Sequence, residues 1–158
     1  MPPEVAVNIL ENAPSVACLA LPALPKSVAT ARMYTRDTLR KWRLDHIIEG
    51  AELIASELVT NAVKAMYRGT GDHPGYVELH DKVRPICLCL YRTSSSMVIE
   101  VWDETRTPPR LRVPGDEEEG GRGLWLVETY AKAWGFRWPR ADGRRPGGKI
   151  VWAELATP

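Results

Sequence analysis

The chain has no run approaching the roughly 18 consecutive apolar residues that a membrane span requires. Its opening, MPPEVAVNILENAP, lacks the charged-then-apolar layout of a signal peptide. Both absences point to a cytoplasmic protein with no membrane partner. An excess of either charge is also missing: 21 Lys plus Arg stand against 20 Asp plus Glu, a formal charge of +1. That balance argues against a protein that works by coating phosphate backbone. Cysteine is scarce, and its number is odd: Cys18, Cys87 and Cys89. Cys87 and Cys89 stand at i and i+2 in an apolar run, so strand alternation points both to one face. The spacing favours core filling over a metal site or a disulfide. Internal repeats and low-complexity tracts are lacking too. At 158 residues the chain has room for one domain with a real core and too little for two.

What is present reads as alternating helical and strand patterns. Residues 1–14 form an N-terminus expected to fray, followed by a single domain over 15–158. Ser15 to Leu24 is apolar and ends at Pro25, as a first strand would. From Ser27, a candidate cap, Val28, Ala31, Met33, Tyr34, Leu39 and Trp42 recur at helical spacing among Arg and Lys. Ile47 to Tyr67 carries a second, broader apolar stripe, stopped by Gly69 and Gly71. Ile86 to Thr93 and Met97 to Trp102 flank three serines as a hairpin would. A segment with Pro108, Pro109 and Pro114 then leads to a third helix, Leu124 to Ala133. Trp134 to Trp138 and Lys149 to Leu155 close a second hairpin. Alternating, hairpinned strands with three amphipathic helices predict an α+β fold, a two-layer sandwich with a mixed, mainly antiparallel sheet carrying its helices on one face.

Four short constellations carry chemistry, none of them specific alone. Glu57 and Asn61 stand at i and i+4, so a carboxylate and a carboxamide project side by side from one helix face; by itself such a pair is an ordinary polar stripe. Asp103 follows the apolar strand ending at Trp102, where a rigid scaffold presents side chains to a loop. Gly120, Gly121, Arg122 and Gly123 precede Leu124 and its helix, and glycines there let backbone N–H groups approach an anion at the positive end of the helix dipole. Gly147, Gly148 and Lys149 open the last strand.

Together and in this order they resemble the GHKL ATPase superfamily, and within it the stand-alone, histidine-kinase-like ATP-binding proteins that include anti-sigma-factor serine/threonine kinases. Glu57-Leu-Val-Thr-Asn61-Ala62 looks like the N box. Val101-Trp-Asp103-Glu-Thr105 with Pro108 is similar to the first glycine box. Gly120-Gly-Arg-Gly-Leu-Trp-Leu-Val127 and Gly148-Lys-Ile-Val-Trp152 resemble the two that follow. The resemblance spans nearly the whole chain and implies the Bergerat ATP-binding sandwich. It also implies that Asn61 gives its amide oxygen to Mg²⁺ on ATP, while Glu57 orients and deprotonates the attacking hydroxyl. Asp103, with Thr105 beside it, would accept from the adenine amino group. The Gly121, Gly123 and Leu124 backbone would hold the phosphates, with Arg122 or Lys149 neutralising terminal charge. Two departures stand out: no glycine follows Asp103, where many relatives have Asp-x-Gly-x-Gly, and Ala65 replaces a common His.

The resemblance implies transfer of the ATP γ-phosphate to a STAS-type anti-anti-sigma protein, together with binding of a sigma factor and a possible homodimer through the first helix and Trp42. The alternative is a non-catalytic, ATP-sensing module that sequesters a partner. The catalytic domain of a sensor histidine kinase would need a phosphoacceptor helix, and His46, His73 and His80 have no such context. Six tryptophans with Arg140, Arg144 and Arg145 could stack on single strands, but Trp102, Trp134 and Trp152 fall on packing strands, so no nucleic-acid partner is expected.

Overall fold

The computed structural model describes residues 15–67, 83–109, 127–139 and 147–158; the N-terminal segment expected to fray lies outside them. The apolar run at the start forms β1 (Ser15–Pro22), and the first amphipathic pattern becomes α1 (Ser27–Lys41). A single 3-10 turn at Asp45–Ile47 leads into α2 (Ile48–Tyr67). The hairpin around the serines is β2 (Pro85–Arg92) and β3 (Ser96–Asp103), and the last two strands are β4 (Ala133–Arg137) and β5 (Lys149–Ala156). The third helix, expected to reach Ala133, ends at Tyr130 within the described residues. Ala133 is instead recruited to β4, opposite Glu154 of β5.

The described strands form one five-stranded sheet in the order β1-β2-β3-β5-β4, antiparallel throughout. With helices packing on one side it is the α+β, two-layer arrangement expected. Leu88 and Leu90 of β2, Ile99 and Val101 of β3, and Val151 and Ala153 of β5 turn inward. They meet Ile54, Leu58, Val59 and Ala62 of α2 in one apolar cluster. Burial of that face is the main source of stability, and the N-terminus of α1 has no side-chain cap to add to it.

The entry to α1 differs from expectation. Ser27 is the first helical residue rather than its cap, and its hydroxyl donates to the Pro22 carbonyl at 2.6 Å. Buried at the strand-to-helix corner, that hydroxyl fixes the angle between β1 and α1. At the other end α1 stops in a Schellman motif: the Leu44 N–H donates to the Leu39 carbonyl and the Arg43 N–H to that of Arg40. The left-handed position, normally glycine, is taken by Arg43 at φ 59°.

The three cysteines lie on the sheet face turned away from the helices, which corrects the core-filling expectation. Alternation does put Cys87 and Cys89 on one side, but the inward side of β2 belongs to Ile86, Leu88 and Leu90. Cys18 and Cys89, directly opposed across β1 and β2, are joined as a disulfide. Further along this face, Glu100 and Arg137 pair at 2.6 Å. Burial, then the Glu100 carboxylate, pushes the Tyr91 phenol far above its ordinary range. The Trp152 indole lies across Gly135, where an added Cβ would meet the ring at 2.9 Å, so a side chain there would displace the indole.

Arg43→Gly is expected to raise the stability of the chain by about 0.5–1 kcal/mol in urea unfolding, because glycine occupies the left-handed position without the Cβ penalty.

Candidate functional site

Glu57 and Asn61 flank Leu58 and Ala62, which face the sheet, so both polar side chains sit half-buried at the margin of the α2 interface. Burial pushes the Glu57 carboxyl above its ordinary pKa, and the Lys64 ammonium offsets this in part. A carboxyl tuned this way is a better proton acceptor than an exposed one. Lys64 itself is exposed, whereas Ala65, at the position where a His is common, is buried against the core.

Asp103 ends β3 on the inward side and is fully buried. Opposite it in the sheet register stands Lys149, the first residue of β5, 2% exposed. The Lys149 ammonium donates to Asp103 Oδ1 at 3.1 Å and lies 2.9 Å from Oδ2. It also donates to the Thr105 hydroxyl at 2.6 Å. Thr105 turns back on Asp103, its backbone N–H donating to Oδ1 at 2.8 Å and its hydroxyl to the same oxygen. All three hydrogen bonds to the carboxylate converge on Oδ1. Oδ2 is buried and accepts no hydrogen bond among the described residues. The Lys149 ammonium thus contacts both carboxylate oxygens, Oδ1 carries the hydrogen bonds, and buried Oδ2 keeps acceptor capacity. An exocyclic amine on an apolar ring system suits such a group.

The turn before β5 makes this approach possible. Gly148 has φ +60°, and a Cβ there would collide with the Asp103 carbonyl and the Trp102 ring nitrogen. Trp102 Nε1 donates to the Gly147 carbonyl at 3.1 Å, tying the turn to β3. Lys149, expected near terminal phosphate charge, therefore has its ammonium engaged by Asp103 and Thr105.

Arg84 was not singled out from sequence. Its guanidinium donates to the Met66 carbonyl at 2.7 Å and pairs with the Glu104 carboxylate. The backbone around it is tied as well: the Ala23 N–H donates to the Arg84 carbonyl at 2.9 Å, and the Tyr67 hydroxyl donates to the Ala23 carbonyl at 2.6 Å. The end of α2 is thereby locked to the residue after Asp103. Arg106 lies over the Trp138 ring at 4.9 Å, which ties this position to the residue after β4. No sequence pattern marks an arginine 20 positions from its carboxylate partner as significant. A separate cavity of about 630 Å³, lined by His46, Ile47, Gly50, Tyr130, Lys132 and Leu155 among others, includes none of Glu57, Asn61 or Asp103.

Gly121, Arg122, Gly123 and Leu124 lie outside the described residues. No cluster of three or more His, Cys, Asp or Glu able to hold a metal occurs among the described ones. Asn61 would thus be a single oxygen donor, as suits Mg²⁺ when phosphates and water complete its octahedron.

The helix bearing Glu57 and Asn61 thus packs on the sheet, and the buried Asp103 ends one of its central strands. The family model of the histidine kinase-like ATPase domain matches residues 21–154. The chain therefore belongs to the histidine kinase-like ATPase family. Domains of this kind bind ATP, generally with Mg²⁺. No individual curated protein matches the chain.

Two outcomes test this site. Lys149→Met leaves a buried carboxylate without its cation and is expected to cost about 3–5 kcal/mol in urea unfolding, part of it restored by adding Asp103→Asn. For Glu57, a folded pKa above the unfolded value contributes stability below that value and loses it as pH rises through the folded pKa. Ionised Glu57 therefore weighs against folding at neutral pH. Glu57→Gln is expected to melt at or above the wild-type temperature at about pH 7 and to match wild type below about pH 4.

Proposed function

We propose that this chain is a serine/threonine protein kinase that acts on a STAS-type anti-anti-sigma partner and, as an anti-sigma factor, binds a sigma factor. The observation that carries the reading is the pairing of two features: a half-buried Glu57 with raised proton affinity beside Asn61, and a buried Asp103 whose Oδ1 carries the hydrogen bonds while Oδ2, beside the Lys149 ammonium, accepts none. When bound, Mg-ATP supplies an activated γ-phosphoryl group whose transfer depends on positioning and charge neutralisation rather than covalent catalysis. Asn61 offers its carboxamide oxygen to the metal. Asp103 Oδ2 accepts from the adenine amino group, while Lys149 and Thr105 keep the carboxylate from rotating. Glu57 takes the proton of the incoming hydroxyl, and its raised pKa brings it nearer the operating pH. The partner and sigma-factor assignments rest on the resemblance of the four sequence boxes to anti-sigma kinases.

A specific observation favours the second reading, a non-catalytic ATP-sensing module. The loop after Asp103 has no glycine, and Thr105 fills the space beside the carboxylate, hydrogen-bonded to both Asp103 and Lys149. That arrangement holds a base without any need for transfer.

Calorimetric titration with Mg-ATP and phosphorylation of a STAS protein with labelled ATP separate the two. Asn61→Ala is expected to weaken nucleotide binding at least about tenfold, the loss of one charge-assisted contact. Glu57→Gln should bind nucleotide within about threefold of wild type but transfer phosphate about 10²–10⁴-fold more slowly. Nucleotide binding with no transfer in the wild-type chain would overturn the kinase assignment and leave the sensor.

A further inference from the structure

We propose that the Cys18–Cys89 pair is a reversible thiol-oxidation site that clamps the edge strand β1 to the sheet. It stands apart from the nucleotide site and does not rest on the kinase reading.

Register selects the bond. Cys18 lies directly opposite Cys89, with Cα atoms 4.1 Å apart, the close spacing of a non-hydrogen-bonded antiparallel pair. Cys87 faces Ala20 instead and keeps its thiol, although its sulfur lies 3.8 Å from that of Cys89. All three sulfurs lie on the helix-free face of the sheet, where Cys18 occupies an exposed position and Cys87 and Cys89 are half-buried. A small oxidant therefore has access without unfolding the chain.

What the bond restrains is an edge. β1 pairs with β2 on one side and with no other described strand, and its outward residue Val16 is 54% exposed. The disulfide spans 71 residues, including both long helices. Closing so long a loop removes much of the freedom of the unfolded chain. The strand it fixes runs into Ala23, whose backbone is bonded to Arg84 and Tyr67.

Closure balances with a two-electron oxidant of the peroxide class. One cysteine thiolate attacks the peroxide oxygen and becomes a sulfenic acid, releasing water or alcohol. The other thiolate then attacks that sulfur, the S–O bond breaks, and hydroxide leaves as water. Two thiols and one hydrogen peroxide give one disulfide and two waters. A dithiol reductant reverses the bond by two exchanges and carries the electrons away as its own disulfide.

The test uses the full chain, reduced, freed of reductant and treated with hydrogen peroxide. Titratable thiols are expected to fall from three to one, with Cys87 the residue that alkylates in the peptide map. The melting temperature should rise by roughly 10 °C on oxidation and return on reduction. Cys87→Ser should keep the rise and Cys18→Ser should lose it. Three thiols persisting after peroxide, a bridge that maps to Cys87, or an equal melting shift in Cys18→Ser would each overturn the proposal. The wild-type comparison alone decides the matter if a variant folds poorly.

Discussion

A carboxylate and an ammonium sealed from water, Asp103 and Lys149, join the end of β3 to the beginning of β5. Removing two charges from solvent is expensive, and their attraction offsets that cost only when the geometry and the surrounding hydrogen bonds are good. Here Thr105 completes the set by donating to the carboxylate and accepting from the ammonium. The arrangement therefore adds little net stability compared with an apolar pair, but it fixes one oxygen and leaves the other oriented. Much of the local structure follows from it. Gly148 must adopt positive φ to bring Lys149 into place, Trp102 must hold Gly147, and the loop from Glu104 must turn sharply enough for Thr105 to reach back. Arg84 then ties that loop to the last turn of α2, so the Asp103 loop and the helix bearing Glu57 and Asn61 are parts of one rigid frame.

Periodicity carried most of the architecture. The stripes of α1 and α2 and the alternation of β2, β3 and β5 are strong because each element buries one face against a single apolar layer. The helix-on-one-face sandwich was accordingly legible, and strand ends moved by no more than one residue, except that β1 stops at Pro22 rather than Leu24. Less legible were features that depend on what lies across space. Ser27 has the chemistry of a cap, but the nearby Pro22 carbonyl takes its hydroxyl. Cys87 and Cys89 share a face, yet which face is decided by Ile86, Leu88 and Leu90 competing for the core.

The candidate site divides along the same line. Glu57 and Asn61 are one helical turn apart, so their proximity is local and readable from spacing. Asp103 was readable as a strand-end residue, but its buried partner is 46 residues away and was expected near phosphate instead. Long-range pairing of this kind leaves no periodic trace, and the same holds for Arg84 and Glu104 or for Trp152 over Gly135. An arginine in the left-handed position at Arg43 is likewise visible only in the backbone.

The sheet order has a consequence for synthesis. β5 is made last of the five strands, yet it lies between β3 and β4, both made before it. While the chain emerges from the ribosome, β3 has one open edge and Asp103 lacks its counter-ion until Lys149 appears. The buried Asp103 carboxylate cannot be set before that moment, so a chain truncated ahead of Lys149 leaves it without its cation. Growth from the N-terminus thus ends with a single insertion that closes the sheet and completes the buried ion pair together.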